Sequence, residues 1–192
     1  VILVVAAVRE ELGDLQGAPL GVGPVVAAAR MARVLAEERP AGVVMIGTAG
    51  AYPEGPPIGQ AVQARRMGLA DGVAAMALGY TPLPPAPVRA DHRLLPGLDL
   101  PVHDVLTMGA ISTDPVLTER LGDGWDVEHL ECFGAAWACH DAGVPFTAVL
   151  GIANRVGPDA HAEWLAWRGR AQDAARDAVR AALGARQGPE NG

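Results

Sequence analysis

Lysine is absent from this chain: all 15 basic residues are arginine, which reads as a bias of genomic composition rather than a device. Against 22 acidic residues they leave a net charge of −7, with no basic cluster. That balance argues against nucleic acid or an anionic membrane surface as partner. No apolar run approaches the ~18 residues that suggest a membrane span. The opening VILVVAAV is far shorter and runs into charge rather than a signal-cleavage region, so a soluble, cytoplasmic protein is expected. Cysteine is scarce. Cys132 and Cys139 fall seven apart on one expected helix, about 10 Å along its axis and beyond disulfide reach. They are expected as buried thiols of a reducing compartment. Neither a Gly-x-Gly-x-x-Gly fingerprint nor a Walker lysine occurs. A Gly-x-Ser-x-Gly elbow is missing too, and no pair of histidines has metal-ligand spacing. No cofactor and no metal are expected.

What remains is a small-residue chain, half apolar and only 4% aromatic, long enough for one globular domain over residues 1–192 with a frayed tail at 187–192. Residues 1–7 read as a buried strand, followed by a turn at Arg9-Glu10-Glu11. Residues 12–22 carry three Gly and a Pro and leave little room for a hairpin. Pro24 suits the first position of an amphipathic helix carrying Val25, Ala28, Ala32, Leu35 and Ala36, which ends near Arg39-Pro40. A buried strand at 41–46 leads into the low-bulk loop Gly47-Thr48-Ala49-Gly50-Ala51, where a flat ligand or another backbone could approach. Residues 59–64 form a further strand; 80–101, with six prolines, form an irregular excursion. A strand at 104–111 precedes a helix with Asp114 as N-cap and Pro115 after it.

The organising stretch is VEHLECFGAAWACHDAGVPFTAVLGIANRVGP. Residues 130–142 read as a helix with Phe133, Ala136, Trp137 and His140 on one face, ended by Gly143 and Pro145. Residues 146–153 read as a strand buried on both faces. Residues 160–183 form the last helix, with Leu165, Ala171, Ala175, Ala178 and Ala182 inward. Strands alternating with helices give an α/β class with one sheet covered on both faces. Ligands gather at the carboxyl ends of strands in such sheets, so Glu131, in the first helical turn, and Asn154, at a strand end, are candidates for one pocket. Each has a plainer reading: Glu131 as a helix-start carboxylate, Asn154 as a turn former. Glu11 could equally be a solvated helix-start residue, and Glu10 beside it leaves the register open by one. Phe133 and Trp137 read as core, and His129 as either a surface residue or a substrate contact.

AAVREEL, VVMIGTAGAY, VEHLECFGAAWACHDAGVPF and GIANRV occur in an order that resembles the nucleoside phosphorylase and nucleosidase superfamily. The resemblance spans most of the chain and is weakest over 73–104. It implies a three-layer α/β/α fold around a mixed, partly barrel-like sheet, and a homo-oligomer, a dimer or larger. It implies a small-molecule purine nucleoside as substrate. Glu11 matches the acid that nucleosidases use to activate water. Thr48, Ala49 and Gly50 match the strand end beside base and ribose. Leu130-Glu131 matches the family's Met-Glu pair, whose acid grips the sugar hydroxyls. Ile111 falls, with Ser112, near the base-stacking position, and Asn154 takes the place where adenine-type nucleosidases carry Asp.

These residue types suit the chemistry. Breaking an N-glycosidic bond builds positive charge on the ribose and negative charge on the purine. A carboxylate accepting both ribose hydroxyls favours oxocarbenium character, and a second can deprotonate the attacking water. Asn donates and accepts but cannot deliver a proton, which points to a 6-oxopurine, and GIANRVGPDAHAEW is most similar to the futalosine hydrolase branch. Hydrolysis of futalosine to hypoxanthine, in the futalosine route to menaquinone, is therefore expected. A phosphorylase, a methylthioadenosine/adenosylhomocysteine-type nucleosidase and a non-catalytic nucleoside-binding protein are the alternatives. The chain departs from the pattern at Leu150, where nucleosidases carry Arg at the water site, at Ala153, where Ser is usual, and in the short segment after the first strand.

Overall fold

Strand alternation divides the apolar residues between two faces of one sheet. The computed structural model describes residues 1–186, so the tail at 187–192 lies outside the described residues. Strand β1 (Ile2–Ala6) pairs in parallel with β3 (Gly42–Ala51), from Ile2 opposite Gly42 to Val5 opposite Met45. Val5, Val43 and Met45 enter one core; Val4, Ala6, Val44 and Ile46 enter the other. Apolar side chains on both faces require a helical layer on each.

Helix α2 (Pro24–Glu38) covers the first face with Met31, Val34 and Leu35. Pro24 starts it, and Arg39 ends it in the left-handed region (φ 46°) just before Pro40. Helix α5 (Cys132–Asp141) lies beside α2 and buries Cys132, Phe133, Ala135, Ala136 and Cys139. Helix α6 (Ala160–Arg186) covers the second face with Ala175, Val179 and Ala182. Each large side chain fully buried in these cores contributes about 1.5–3 kcal/mol relative to exposure.

The sheet closes on itself. Strand β8 (Phe146–Arg155) runs parallel to β3 on one side and antiparallel to β4 (Ala61–Leu69) on the other. Strand β6 (Val102–Thr107) pairs with β4, and the short β7 (Val127–His129) bridges β6 back to β3. The ring β3–β7–β6–β4–β8 is the barrel-like part of a mixed sheet. Outside it, β2 (Gly17–Pro19) extends the edge in parallel with β1, and β5 (Val88–Arg89) pairs with β4. Helix α1 (Arg9–Leu12) is a single turn after β1, and α3 (Gly72–Ala75) one after β4. Helix α4 (Pro115–Gly122) is capped by Asp114, whose side chain accepts the Leu117 N–H at 2.9 Å. No helix among the described residues is long and apolar enough to cross a membrane.

Several expectations change. Gly47 to Ala51 is no loop: it continues β3 and pairs along β8, with a register shift between Ala49 and Gly50. Ladder hydrogen bonds hold it extended despite its glycines. Ile111 lies in the loop after β6, half exposed, because that strand stops at Thr107. Residues 12–22 hold β2, a parallel edge strand that needs no hairpin. The irregular 80–101 excursion contains β5 and a 3₁₀ turn at His92–Leu94. Leu165 is exposed rather than inward, and Trp137 is 39% exposed, stacked on the buried Phe133 with ring centroids 5.5 Å apart.

Small residues set how closely the layers meet. A Cβ at Gly151 would lie 1.9 Å from the Ala171 carbonyl oxygen of α6, and one at Gly134 would lie 2.2 Å from the Pro24 carbonyl oxygen of α2. Both neighbours are backbone and cannot rotate away. Gly151→Ala should therefore lower stability by about 3 kcal/mol or more, read as a fall in the urea midpoint. A change below 1 kcal/mol would contradict this packing.

Candidate active site

At the carboxyl ends of β1, β3 and β8 opens a cavity of about 410 Å³. Glu11, Thr48, Ala49, Gly50, Ile111, Leu130, Glu131 and Asn154 all line it, as do Glu128, His129, His161 and Trp164. The first eight were chosen on sequence, and the cavity brings them together.

Glu11 reaches the cavity because α1 is so short. Leu12 goes into the core, Glu10 stays in solvent, and the Glu11 side chain turns back onto the end of β1. Its Oε2 accepts N–H bonds from Ala7 (3.2 Å) and Val8 (3.4 Å). Its Oε1 accepts from the Thr48 N–H (3.1 Å) and the Thr48 hydroxyl (3.4 Å). Arg176 of α6 donates to the carbonyls of Glu10 and Glu11 at 3.0 and 3.3 Å and pins the turn. Burial raises the Glu11 pKa above the ordinary glutamate value, although nearby His129 and the Thr48 and Val8 N–H groups oppose it.

Glu131 is the N-cap residue of α5 but does not cap its own helix. Its Oε1 accepts the Gly23 N–H at 2.8 Å, from the segment that starts α2. Burial raises its pKa too. His129 is buried rather than a surface residue, and its Nδ1 accepts the N–H groups of Glu131 and Cys132, both at 3.1 Å. With that lone pair occupied, the ring proton sits on Nε2. Burial pushes the His129 pKa down to about 4. The 3.3 Å approach of Glu131 Oε2 to Nδ1 is thus no ion pair at neutral pH, and Oε2 is open to hydroxyl donors. A Cβ at Gly47 would lie 3.0 Å from His129 Nε2 and 3.4 Å from Glu11 Oε1. The missing side chain lets the imidazole and the carboxylate share one floor.

Trp164 lies in the first turns of α6. Its indole N–H donates to the Thr48 hydroxyl at 3.1 Å, which leaves that hydroxyl's own proton for Glu11. His161 stacks on the Trp164 ring, with centroids 6.1 Å apart. The tryptophan was visible in sequence, but nothing in helical spacing aims it at β3. Asn154 sits within β8 rather than in a turn and donates one amide hydrogen to the Arg155 carbonyl at 2.8 Å. Glu128 accepts from the Tyr52 hydroxyl and from the Ser112 N–H, each at 2.9 Å. Sequence reasoning missed Glu128 because it stands on β7, three residues long and without a hydrophobic period. Leu150 is fully buried in the core. No Arg or Lys appears among the described cavity-lining residues.

A mixed, partly barrel-closed α/β sheet with acidic side chains gathered at its strand ends defines the nucleoside phosphorylase/nucleosidase class of fold. The profile of the phosphorylase superfamily matches residues 15–184, and the chain belongs to that family. It is 32% identical over 159 residues to the futalosine hydrolase of Thermus thermophilus, covering 75% of this chain and 71% of that protein. A futalosine hydrolase mutant of Helicobacter pylori superposes with a TM-score of 0.83 at 15% identity, covering 96% of this chain and 98% of the other. A 5′-methylthioadenosine/S-adenosylhomocysteine nucleosidase from Neisseria meningitidis, in complex with methylthio-immucillin-A, superposes at 0.79 with 16% identity, over 96% and 98% of the two chains.

His129 gives a pH test with a definite sign. Its folded pKa, about 4, lies below the unfolded value of 6.5, so its neutral burial supports the fold fully above pH 6.5 and loses that support as pH falls towards 4. The loss is on the order of 3 kcal/mol. Glu11 and Glu131, with raised values, act in the opposite sense, so the comparison is made against His129→Asn, which keeps them. The stability advantage of wild type over this variant, from urea midpoints at pH 7 and 4.5, should shrink at the lower pH. An equal advantage at both would rule out a buried neutral imidazole.

Proposed function

We propose that this chain is a hydrolase of the N-glycosidic bond of a purine nucleoside, most specifically of futalosine, releasing hypoxanthine and dehypoxanthinylfutalosine. The observation that carries the reading is that Glu11 and Glu131, far apart in sequence, are both buried in the wall of one cavity. Glu131 Oε2 takes the ribose hydroxyls as a charge-assisted acceptor and favours positive charge on the sugar. Glu11, oriented by Thr48 and by the N–H groups after β1, takes a proton from water attacking C1′. Ala49 and Gly50 form the low floor for ribose and base, and Leu130 and Ile111 are the apolar contacts. Asn154 keeps its carbonyl oxygen and one amide hydrogen for the base. The lack of Arg or Lys among the described lining residues favours water over phosphate as nucleophile. The 32% identical relative supports futalosine as the substrate. The reading includes a cytoplasmic homo-oligomer, dimer or larger, acting in the futalosine route to menaquinone.

Chromatography of base release from futalosine, inosine and methylthioadenosine, each with and without phosphate, tests this directly. Phosphate-independent hypoxanthine from futalosine is the expected result; phosphate-dependent release would make the chain a phosphorylase. Glu11→Gln and Glu131→Gln should each lower kcat/KM by roughly 100-fold or more with the fold retained. Near-normal rates in both would refute the assignment. Because Glu11 must be ionised to act and burial raises its pKa, the acid limb of kcat/KM should lie above the ordinary glutamate range. Glu11→Gln should remove the Glu11 contribution and leave a limb set by Glu131 alone.

A further inference from the structure

Helix α1 is four residues long, and a single turn does not hold itself by its own hydrogen bonds. Its last carbonyls have no following turn to donate to them, because Gly13 leaves the helix at φ 57°. Yet this turn sets where the Glu11 carboxylate lies. Something outside α1 must take those carbonyls.

Arg176 of α6 does so. Its Nη1 donates to the carbonyl of Glu10 at 3.0 Å and to that of Glu11 at 3.3 Å. Its Nη2 donates to Asp173, one turn earlier on the same helix. The side chain is only 15% exposed, so the guanidinium is held between its own helix and α1. A Cβ at Gly13 would lie 3.1 Å from Arg176 Cδ and 3.2 Å from Nη1, so the glycine clears the way. A cation at a helix C-terminus also suits the partial negative charge there. Arg176 is thus the C-terminal cap of α1, supplied from the helix on the second face of the sheet. It does not line the cavity.

We propose that Arg176 is a positioning residue of the site: by capping α1 it holds the Glu11 carboxylate on the N–H groups of Ala7, Val8 and Thr48. The catalytic consequence rests on the hydrolase reading; the placement of Glu11 rests on the hydrogen bonds alone. If the turn frays, the carboxylate leaves those donors and the water it is to deprotonate, and a misplacement of about 1 Å can cost on the order of 100-fold in rate. Glu131 on α5 and Asn154 on β8 come from other elements, so nucleoside binding should survive the loss.

Arg176→Met keeps the aliphatic stem and removes the cap. With futalosine its kcat should fall roughly 100-fold while KM stays within about threefold. Arg180, the next turn of α6, bridges to Asp14 without touching the α1 carbonyls. Arg180→Met should therefore leave kcat within about twofold. An unchanged kcat in Arg176→Met, or an equal loss in Arg180→Met, would overturn the proposal. Ethylguanidinium added to Arg176→Ala should restore kcat by about tenfold or more, and no recovery in the folded variant would count against the cap. Should Arg176→Ala fail to fold, Arg176→Met decides. Amide hydrogen exchange needs no turnover. In Arg176→Met the N–H groups of Ala7, Val8 and Thr48 should exchange roughly tenfold faster or more, with those of Val44 and Met45 unchanged. If wild type released no base but this pattern held, the hydrolase reading would fail and the placement of Glu11 by Arg176 would stand. Unchanged exchange at all three would overturn it whatever the rates.

Discussion

Three buried carboxylates share one cavity wall with no Arg or Lys among the described residues lining it, and what makes this tolerable is the polypeptide backbone. Glu11 is held by the N–H groups of Ala7, Val8 and Thr48, Glu131 by Gly23 and Glu128 by Ser112. An unpaired buried charge would be costly enough to protonate; N–H donors at fixed positions replace water at lower cost. Because the donors come from β1, β3, the start of α2 and the loop after β6, the site exists only when those elements are docked. Burial still raises the pKa of Glu11 and Glu131, so the compensation is incomplete. In the proposed reaction, that residue of basicity serves proton abstraction from water.

The same economy explains the abundance of small side chains. Gly47 leaves room for His129 Nε2 beside Glu11, Gly50 leaves room for the Asn154 amide and Val156, and Gly151 lets α6 approach β8. That last approach carries Trp164 onto Thr48, which couples the longest helix to the orientation of Glu11. Closing the β3–β7–β6–β4–β8 ring brings residues far apart in sequence onto neighbouring strands, with Glu128 as the clearest case. His129 serves this arrangement differently. As a neutral acceptor for the first N–H groups of α5, it does in the chain's interior what a Ser or Asp cap does at a surface helix.

How much of this could be read from the chain follows from range. The starts of α2 and α4 were legible because Pro24, Asp114 and Pro115 act locally. So was the mixed, partly barrel-like sheet, through the ordered family motifs. The extension of β3 to Ala51 was hidden because its glycines carry the composition of a turn, and only the ladder to β8 holds them extended. The three-residue β7 has no period to detect. Which of Glu10 and Glu11 faces inward depended on the pitch of a four-residue helix that neither residue determines. Ile111 was assigned to a strand because its apolar run continues past Thr107, where the sheet no longer offers a partner.

In the proposed hydrolase, Leu150 bears on how water is held. Nucleosidases resemble one another in carrying Arg there, but in this chain the position packs into the core, and Glu11 meets the Thr48 hydroxyl, itself fixed by the Trp164 indole, and lies near the Nε2 side of His129. A cation near the nucleophile would lower the basicity of Glu11 and attract anions such as phosphate. Uncharged donors orient the carboxylate without doing either. In the proposed hydrolase, the leucine at 150 and the raised pKa of Glu11 fit one arrangement, in which a more basic carboxylate compensates for a less polarised water.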